Sequence, residues 1–167
     1  MKKIVLLASV VFCVISCSQA QKKFSETTLS QKLVDTNQKE IIFKDALQQF
    51  KGKTIVLEVW ASWCGDCVKA MPKMKELQAA HPNVVYLFVS MDKEFDKWKA
   101  GIEKHDLKGT HLWANDPKMM KGEFGKSIKL NWIPRYMIID KNQKIVLFKA
   151  IETDFNTINA TLKSMNE

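Results

Sequence analysis

Two cysteines with two residues between them lie where a strand-like segment gives way to a helix-like one. Residues 54–60 (TIVLEVW) are β-branched and aromatic, which is typical of a strand buried on both faces. From Val68 to about Ala80, apolar residues recur at three- and four-residue steps and predict a helix. Cys64 and Cys67 therefore flank a first helical turn. Across one turn they are close enough to form a small disulfide.

The position of this pair favours redox chemistry. Free backbone N–H groups and the positive end of the helix dipole lie at Cys64 and stabilise its thiolate. Cys67, one turn deeper, is then the natural resolving thiol. Zinc sites use the same spacing, but a structural zinc site normally takes four protein ligands. No second CxxC or HxxxH pattern accompanies the pair, so a metal or haem handler is the alternative and no metal site is predicted.

The remaining pattern predicts an α/β fold. Strands alternate with helices, and a hairpin and a last amphipathic helix follow, which implies a central sheet covered on both sides. The predicted elements after the first helix are a strand at 84–91, a helix at 93–104, a short strand at 110–113, hairpin strands at 136–139 and 144–148, and a helix from 155 to 165.

The N-terminus is typical of an export signal. Two lysines precede a twelve-residue apolar run, which is too short for a permanent membrane span. The run ends in Val14-Ile15-Ser16-Cys17, which resembles a bacterial lipobox. The resemblance implies that residues 1–16 are removed and that Cys17 is lipidated, giving a stable membrane anchor. An ordinary secretory signal, with Cys17 a bystander, is the alternative.

The organisation predicted from this is a signal peptide at 1–16, a flexible polar tether at 17–33 and one domain at 34–167. A domain of this size buries a hydrophobic core large enough to fold without stabilising disulfides. The chain of 167 residues carries a net charge of +8, but nucleic acid is not the expected partner of an exported protein. We expect an exported monomer that does not bind nucleic acid.

A family resemblance sharpens this interpretation. The segment WASWCGDC followed by Met71-Pro72, with Ile133-Pro134 before a strand and hairpin, resembles the thioredoxin superfamily. More narrowly, it is similar to the TlpA/ResA-type envelope-anchored thiol–disulfide oxidoreductases. The similarity covers about Gly52 to the C-terminus, including the extra strand-helix segment around residues 84–113. It implies a thioredoxin fold: a mixed central sheet, helices on both faces and a TlpA-type strand-helix insertion.

The resemblance also assigns roles. Cys64 matches the attacking cysteine and Cys67 the resolving one, while Trp63 matches the tryptophan that shields one side of the site. Pro134 matches a cis-proline that faces the disulfide, and the backbone of its neighbour Ile133 pairs with the substrate chain.

Glu58 lies six residues before Cys64, where thioredoxins place a buried acid. Burial would raise its pKa and suit it to exchanging a proton with Cys67. A solvent-facing position on the strand is the alternative.

Departures from the family pattern leave the redox potential open. Gly65 and Asp66 separate the cysteines, and Asp66 replaces the usual proline. Its charge either disfavours the Cys64 thiolate or caps the helix. Arg135 follows the cis-proline, where a small hydroxyl residue is common. It binds acidic substrates, attracts the thiolate or is simply solvated.

The expected function is reduction of disulfides in cell-envelope proteins on the periplasmic side, from a lipid anchor in the inner or outer membrane. No cofactor is expected beyond the redox-active cysteine pair. A membrane electron donor would reduce the cysteine pair again after each reaction. Substrates left open include an apocytochrome, which would place the protein in cytochrome c maturation. Within the same chemistry, a disulfide oxidase or isomerase is the alternative.

Overall fold

Strand β3 (Ile55–Trp60) lies inside the sheet, between β4 and β6, and all six of its residues are buried. The computed structural model describes residues 23–165. Its strands are β1 Lys32–Asp35, β2 Glu40–Ile42, β3, β4 Val85–Ser90, β5 Thr110–Trp113, β6 Arg135–Ile139 and β7 Ile145–Ala150. Its helices are α1 Glu26–Leu29, α2 Phe43–Gln48, α3 Gly65–Ala80, α4 Phe95–His105, α5 Glu123–Ser127 and α6 Phe155–Ser164, with a 3-10 turn at Met119–Lys121.

The seven strands form one mixed sheet in the order β2-β1-β5-β4-β3-β6-β7. Strands β3, β4 and β5 are parallel, and the other neighbours pair antiparallel. The carboxyl ends of the parallel strands therefore meet at one edge, where α/β sheets usually carry their sites. The cysteine pair follows β3 at this edge.

The predicted α/β architecture, central strands and C-terminal hairpin are confirmed. Helix α3 begins three residues earlier than the periodicity indicates. The reason is local: Cys64 is the N-cap, and its sulfur accepts a hydrogen bond from the backbone N–H of Cys67. That bond satisfies one of the donors left free at a helix start.

The predicted tether is wrong for residues 24–33. Ser25 caps α1 by accepting from the N–H of Thr28, and Leu33 is fully buried in β1. Phe24 packs edge-on against Phe43 of α2, with ring centroids 5.3 Å apart. This segment is polar in composition, but a few inward-facing residues attach it to the core, so the folded domain begins before residue 34. The predicted signal at 1–16, Cys17 and tether residues 17–22 lie outside the described residues.

None of the helices within residues 23–165 has the length and apolar character needed to cross a membrane.

Candidate active site

Cys64 and Cys67 form a disulfide at the N-terminus of α3, with Cα atoms 5.3 Å apart. The Cys64 sulfur accepts the Cys67 N–H at 3.1 Å, so a helix-terminal donor already points at the atom that would become the thiolate. Cys64 is 6% exposed and Cys67 is fully buried. A substrate can therefore reach only Cys64, and Cys67 is placed to resolve from inside.

The Ile133–Pro134 segment faces the disulfide across a shallow cleft. Its peptide bond is cis, as the resemblance implies. The carbonyl oxygen of Ile133 lies 3.6 Å from the Cys64 sulfur. Ile133 lies in the loop before β6, and its backbone borders the sulfur where an incoming chain would lie.

Two half-exposed indole rings line this cleft. Trp63 is 52% exposed and Trp132 is 50% exposed, although large aromatic side chains are usually well covered. Met120 adds a third apolar side chain. Sequence reasoning singled out Trp63 but missed Trp132 as a site residue. Its signal was an aromatic residue directly before the Ile133-Pro134 pair.

Glu58 is buried in β3, so the solvent-facing alternative is wrong. The Tyr136 hydroxyl donates a hydrogen bond to its carboxyl oxygen Oε1 at 3.4 Å. Burial raises the pKa of Glu58 to about 8, and the bond from Tyr136 opposes that rise only in part. Near pH 7 the carboxyl is therefore mostly protonated and can exchange a proton.

Asp66 does not cap the helix, because Cys64 occupies the N-cap position. The Asp66 carboxylate instead lies 3.7 Å from the Lys69 ammonium, and its side chain is 39% exposed. Solvent screening and this pairing weaken its repulsion of a thiolate. At neighbouring Gly65, a Cβ atom would meet nothing within 4 Å.

Arg135 is buried, so its interpretation as a solvated residue is wrong. Its Nη2 donates to the side-chain oxygen of Asn131, in the loop that precedes Ile133. A buried guanidinium is not presented to a passing acidic segment.

Asp92, at the end of β4, fixes the loop before the cysteines and was not predicted. Its carboxylate accepts hydrogen bonds from the N–H of Ser62 at 3.0 Å, from the Ser62 hydroxyl at 2.6 Å and from the Ser90 hydroxyl at 2.7 Å. Its carbonyl accepts from the indole N–H of Trp113. The available signal was an acid directly after a buried parallel strand.

No group of three or more histidine, cysteine or acidic side chains in the described part of the chain is placed to hold a metal ion.

Comparisons with known proteins agree with this geometry. The thioredoxin-like family profile matches residues 52–145. The chain is 35% identical over 68 residues to the thioredoxin-like protein YneN of Bacillus subtilis, covering 38% of this chain and 40% of that protein. It is 31% identical over 105 residues to the thiol-disulfide oxidoreductase ResA of Bacillus thuringiensis, covering 62% and 58% respectively. The aligned part thus spans well under two thirds of both relatives.

A solution structure from Bacteroides vulgatus, assigned to the thiol-disulfide oxidoreductases, is 29% identical with a TM-score of 0.65, covering 82% of this chain and 89% of that one. Family profile, relatives and fold agree, and the chain belongs to the thioredoxin-like family.

Proposed function

We propose that this protein is a thiol–disulfide oxidoreductase that reduces disulfides in other proteins through the Cys64–Cys67 pair. The observation that carries the proposal is the inequality of the two sulfurs. Cys64 is partly accessible, accepts a helix-terminal N–H and borders the Ile133 carbonyl, while Cys67 is sealed behind it.

The cycle begins with the reduced pair. The Cys64 thiolate attacks one sulfur of a substrate disulfide, forming a mixed disulfide and releasing the other substrate sulfur, which takes up a proton. Cys67 then loses its proton and attacks the Cys64 sulfur. The Cys64–Cys67 disulfide forms and the second substrate thiol leaves. Two electrons and two protons have passed to the substrate.

Glu58 is proposed to accept the proton that Cys67 loses, in the fraction of molecules in which its carboxyl is ionised. A buried carboxyl with a pKa near 8 releases and regains protons close to neutral pH, as a general base or acid must. Support for this role comes from the burial of Glu58 and from strand β3, which carries it and leads directly into the loop with the cysteines. Trp63 and the Ile133 backbone are assigned to substrate binding.

The cellular setting is also a proposal. The lipobox-like segment supports a signal at 1–16, lipidation at Cys17 and an anchored protein in the bacterial cell envelope. The similarity to a protein named thiol-disulfide oxidoreductase ResA supports thiol–disulfide exchange as the reaction. A reductase in an oxidising compartment needs a membrane electron donor, and its substrates would be disulfide-containing envelope proteins. The protein is proposed to work as a monomer and without a bound cofactor.

The test is dithiothreitol-driven reduction of insulin, comparing Cys64→Ser with Cys67→Ser. Cys64→Ser should abolish turnover. Cys67→Ser should also stop it and, when the reduced variant is mixed with insulin after dithiothreitol has been removed, should accumulate a mixed disulfide because attack still occurs. Full turnover by Cys64→Ser would overturn the proposal. A measured potential near about −270 mV favours reduction and one near about −120 mV favours the oxidase alternative.

A further inference from the structure

Arg135 is a buried cation without an anionic partner. Only 2% of the residue is exposed, and its Nε and Nη1 atoms have no hydrogen-bond partner among the described residues. Within residues 23–165, no carboxylate lies within 4.0 Å of its guanidinium. An arginine side chain stays charged in proteins. Burying such a charge unpaired is costly, so a compensating charge in another state of the protein is expected.

The guanidinium lies along the loop that faces the disulfide. Arg135 follows Pro134, and Nη2 reaches back to Asn131 on the other side of Ile133. The carbonyl of Ile133 is itself 3.6 Å from the Cys64 sulfur. The guanidinium is therefore attached, through Asn131, to the same short loop whose Ile133 carbonyl borders this sulfur.

The other charged groups at the site do not supply the missing anion. Asp66, the one charged residue that lines the cleft, is partly exposed and lies near Lys69. Glu58 is mostly protonated near pH 7, since burial raises its pKa to about 8. Asp92 already accepts three hydrogen bonds from Ser62 and Ser90. The anion that the site can generate is the Cys64 thiolate, and it exists only after reduction.

We propose that Arg135 is a positioning residue whose buried charge stabilises the Cys64 thiolate and thereby shifts the cysteine pair toward its reduced form. The inference rests on the proposed function, because it assumes a reversible disulfide. It implies that the disulfide is a stronger oxidant than the same site would be without this arginine.

The reaction that reports the effect is exchange with glutathione. Two glutathione thiols reduce the Cys64–Cys67 disulfide and become one glutathione disulfide. Cys67 ends as a thiol, while Cys64 ends as a thiolate and releases its proton. Arg135 favours the product only when Cys64 is ionised. Its contribution must therefore vanish at low pH, where Cys64 is a thiol, and grow as the pH rises.

The experiment measures this equilibrium between about pH 5 and about pH 7.5, where Glu58 keeps its proton, for wild type, Arg135→Gln and Arg135→Lys. Arg135→Gln should reduce the equilibrium constant about tenfold at the alkaline end, equivalent to about 30 mV for a two-electron couple. It should have no effect at the acid end. Arg135→Lys should restore most of the loss, because it keeps the charge. The ultraviolet absorbance of the thiolate should titrate at higher pH in Arg135→Gln than in wild type.

Lys163→Gln is the matched control, since it removes one positive charge from the exposed last turn of α6, away from the disulfide. It should leave the equilibrium unchanged. An Arg135→Gln effect that is equal at every pH, or absent, would overturn the inference while insulin reduction by the wild type upheld the proposed function. A wild-type pair that never equilibrates with glutathione would overturn both. If Arg135→Gln fails to fold, Arg135→Met is measured by the same criteria.

Discussion

The hydroxyl of Tyr136 donates to the carboxyl group of Glu58 at 3.4 Å, across neighbouring strands and inside the core. One neutral donor compensates poorly for the loss of water around a carboxylate, and the pKa of Glu58 rises to about 8. This carboxyl therefore links the stability of the protein to pH.

We expect the stability of the oxidised protein to fall as the pH rises from about 4.5, the ordinary glutamate pKa, to about 8. In this interval the folded state keeps a proton that the unfolded chain has released, so folding is progressively opposed. The fall amounts to at most about 5 kcal/mol and ends above pH 8. Urea unfolding at a series of pH values measures it.

Glu58→Gln is the comparison for this pH series, since its amide does not titrate. Unlike wild type, this variant should show no Glu58-dependent fall in stability between the unfolded and folded pKa values of Glu58. The histidines contribute equally to both proteins, so subtracting one stability curve from the other removes their contribution. The disulfide is kept oxidised so that neither Cys64 nor Cys67 titrates. Parallel stability curves for the two proteins would contradict the assignment of the decline to Glu58.

Asp92→Ala should destabilise the protein by about 2–4 kcal/mol and slow the reaction of Cys64 with substrate. The substitution leaves the Ser62 N–H and the Ser62 and Ser90 hydroxyls without their acceptor, and buried unsatisfied donors are costly. Ser62 lies two residues before Cys64, so its loop would lose its fixed position. Urea unfolding and the rate of insulin reduction measure the two effects.

Asp140→Ala provides the control for Asp92→Ala. Like Asp92, Asp140 accepts several hydrogen bonds through its carboxylate, here from the backbone N–H groups of Asn142 and Lys144. These bonds lie in an exposed turn, where water replaces the lost acceptor. Its cost should stay near 1 kcal/mol, with activity unchanged. Equal costs for the two aspartates would show that burial of the Asp92 network is not what matters.

The local sequence pattern predicted those elements in which apolar residues recur regularly along the whole segment. The run TIVLEVW and the periodic residues after Val68 correspond to β3 and α3 because burial on both faces and burial on one helical face leave clear signatures. The segment from α1 to β2 has no such signature. It is attached through single residues such as Phe24 and Leu33, whose partners are known only after folding.

The site residues fall into the same two groups: those that a local sequence pattern marks and those that it does not. The cysteine pair and Pro134 stand in a motif, so their positions were predicted from the sequence. Asp92 reaches Ser62 over 30 residues of sequence, and the burial of Arg135 depends on how β6 packs. No local pattern encodes either relationship.

Trp132→Ala should lower kcat/KM for insulin about tenfold, and Trp63→Ala should have a similar effect, since aromatic residues often dominate binding surfaces. Both rings are half-exposed beside Cys64, where a protein substrate would cover them. A small disulfide substrate covers neither ring and should be reduced at nearly the wild-type rate. Val146→Ala, which truncates an exposed apolar residue of β7 outside the cleft, should change neither rate. Equal losses with both substrates would assign the tryptophans to the chemistry instead of to binding.

Gly101→Ala should destabilise the oxidised protein by about 1–3 kcal/mol, although alanine is the better helix former by about 1 kcal/mol. A Cβ at this position in α4 would lie 2.7 Å from the Cβ of Ser62 and 3.2 Å from Cη2 of Trp60, so the helix would be pushed away from the cysteine loop. Gly65→Ala is the matched control, because a Cβ there meets nothing within 4 Å and stability should be unchanged or slightly higher. Urea unfolding of the two variants measures the difference in stability.

Gly101→Ala should also slow reduction of insulin, since Ser62 would shift with the loop that carries Cys64. A Gly101→Ala protein as stable as Gly65→Ala would mean that α4 does not hold this loop in place.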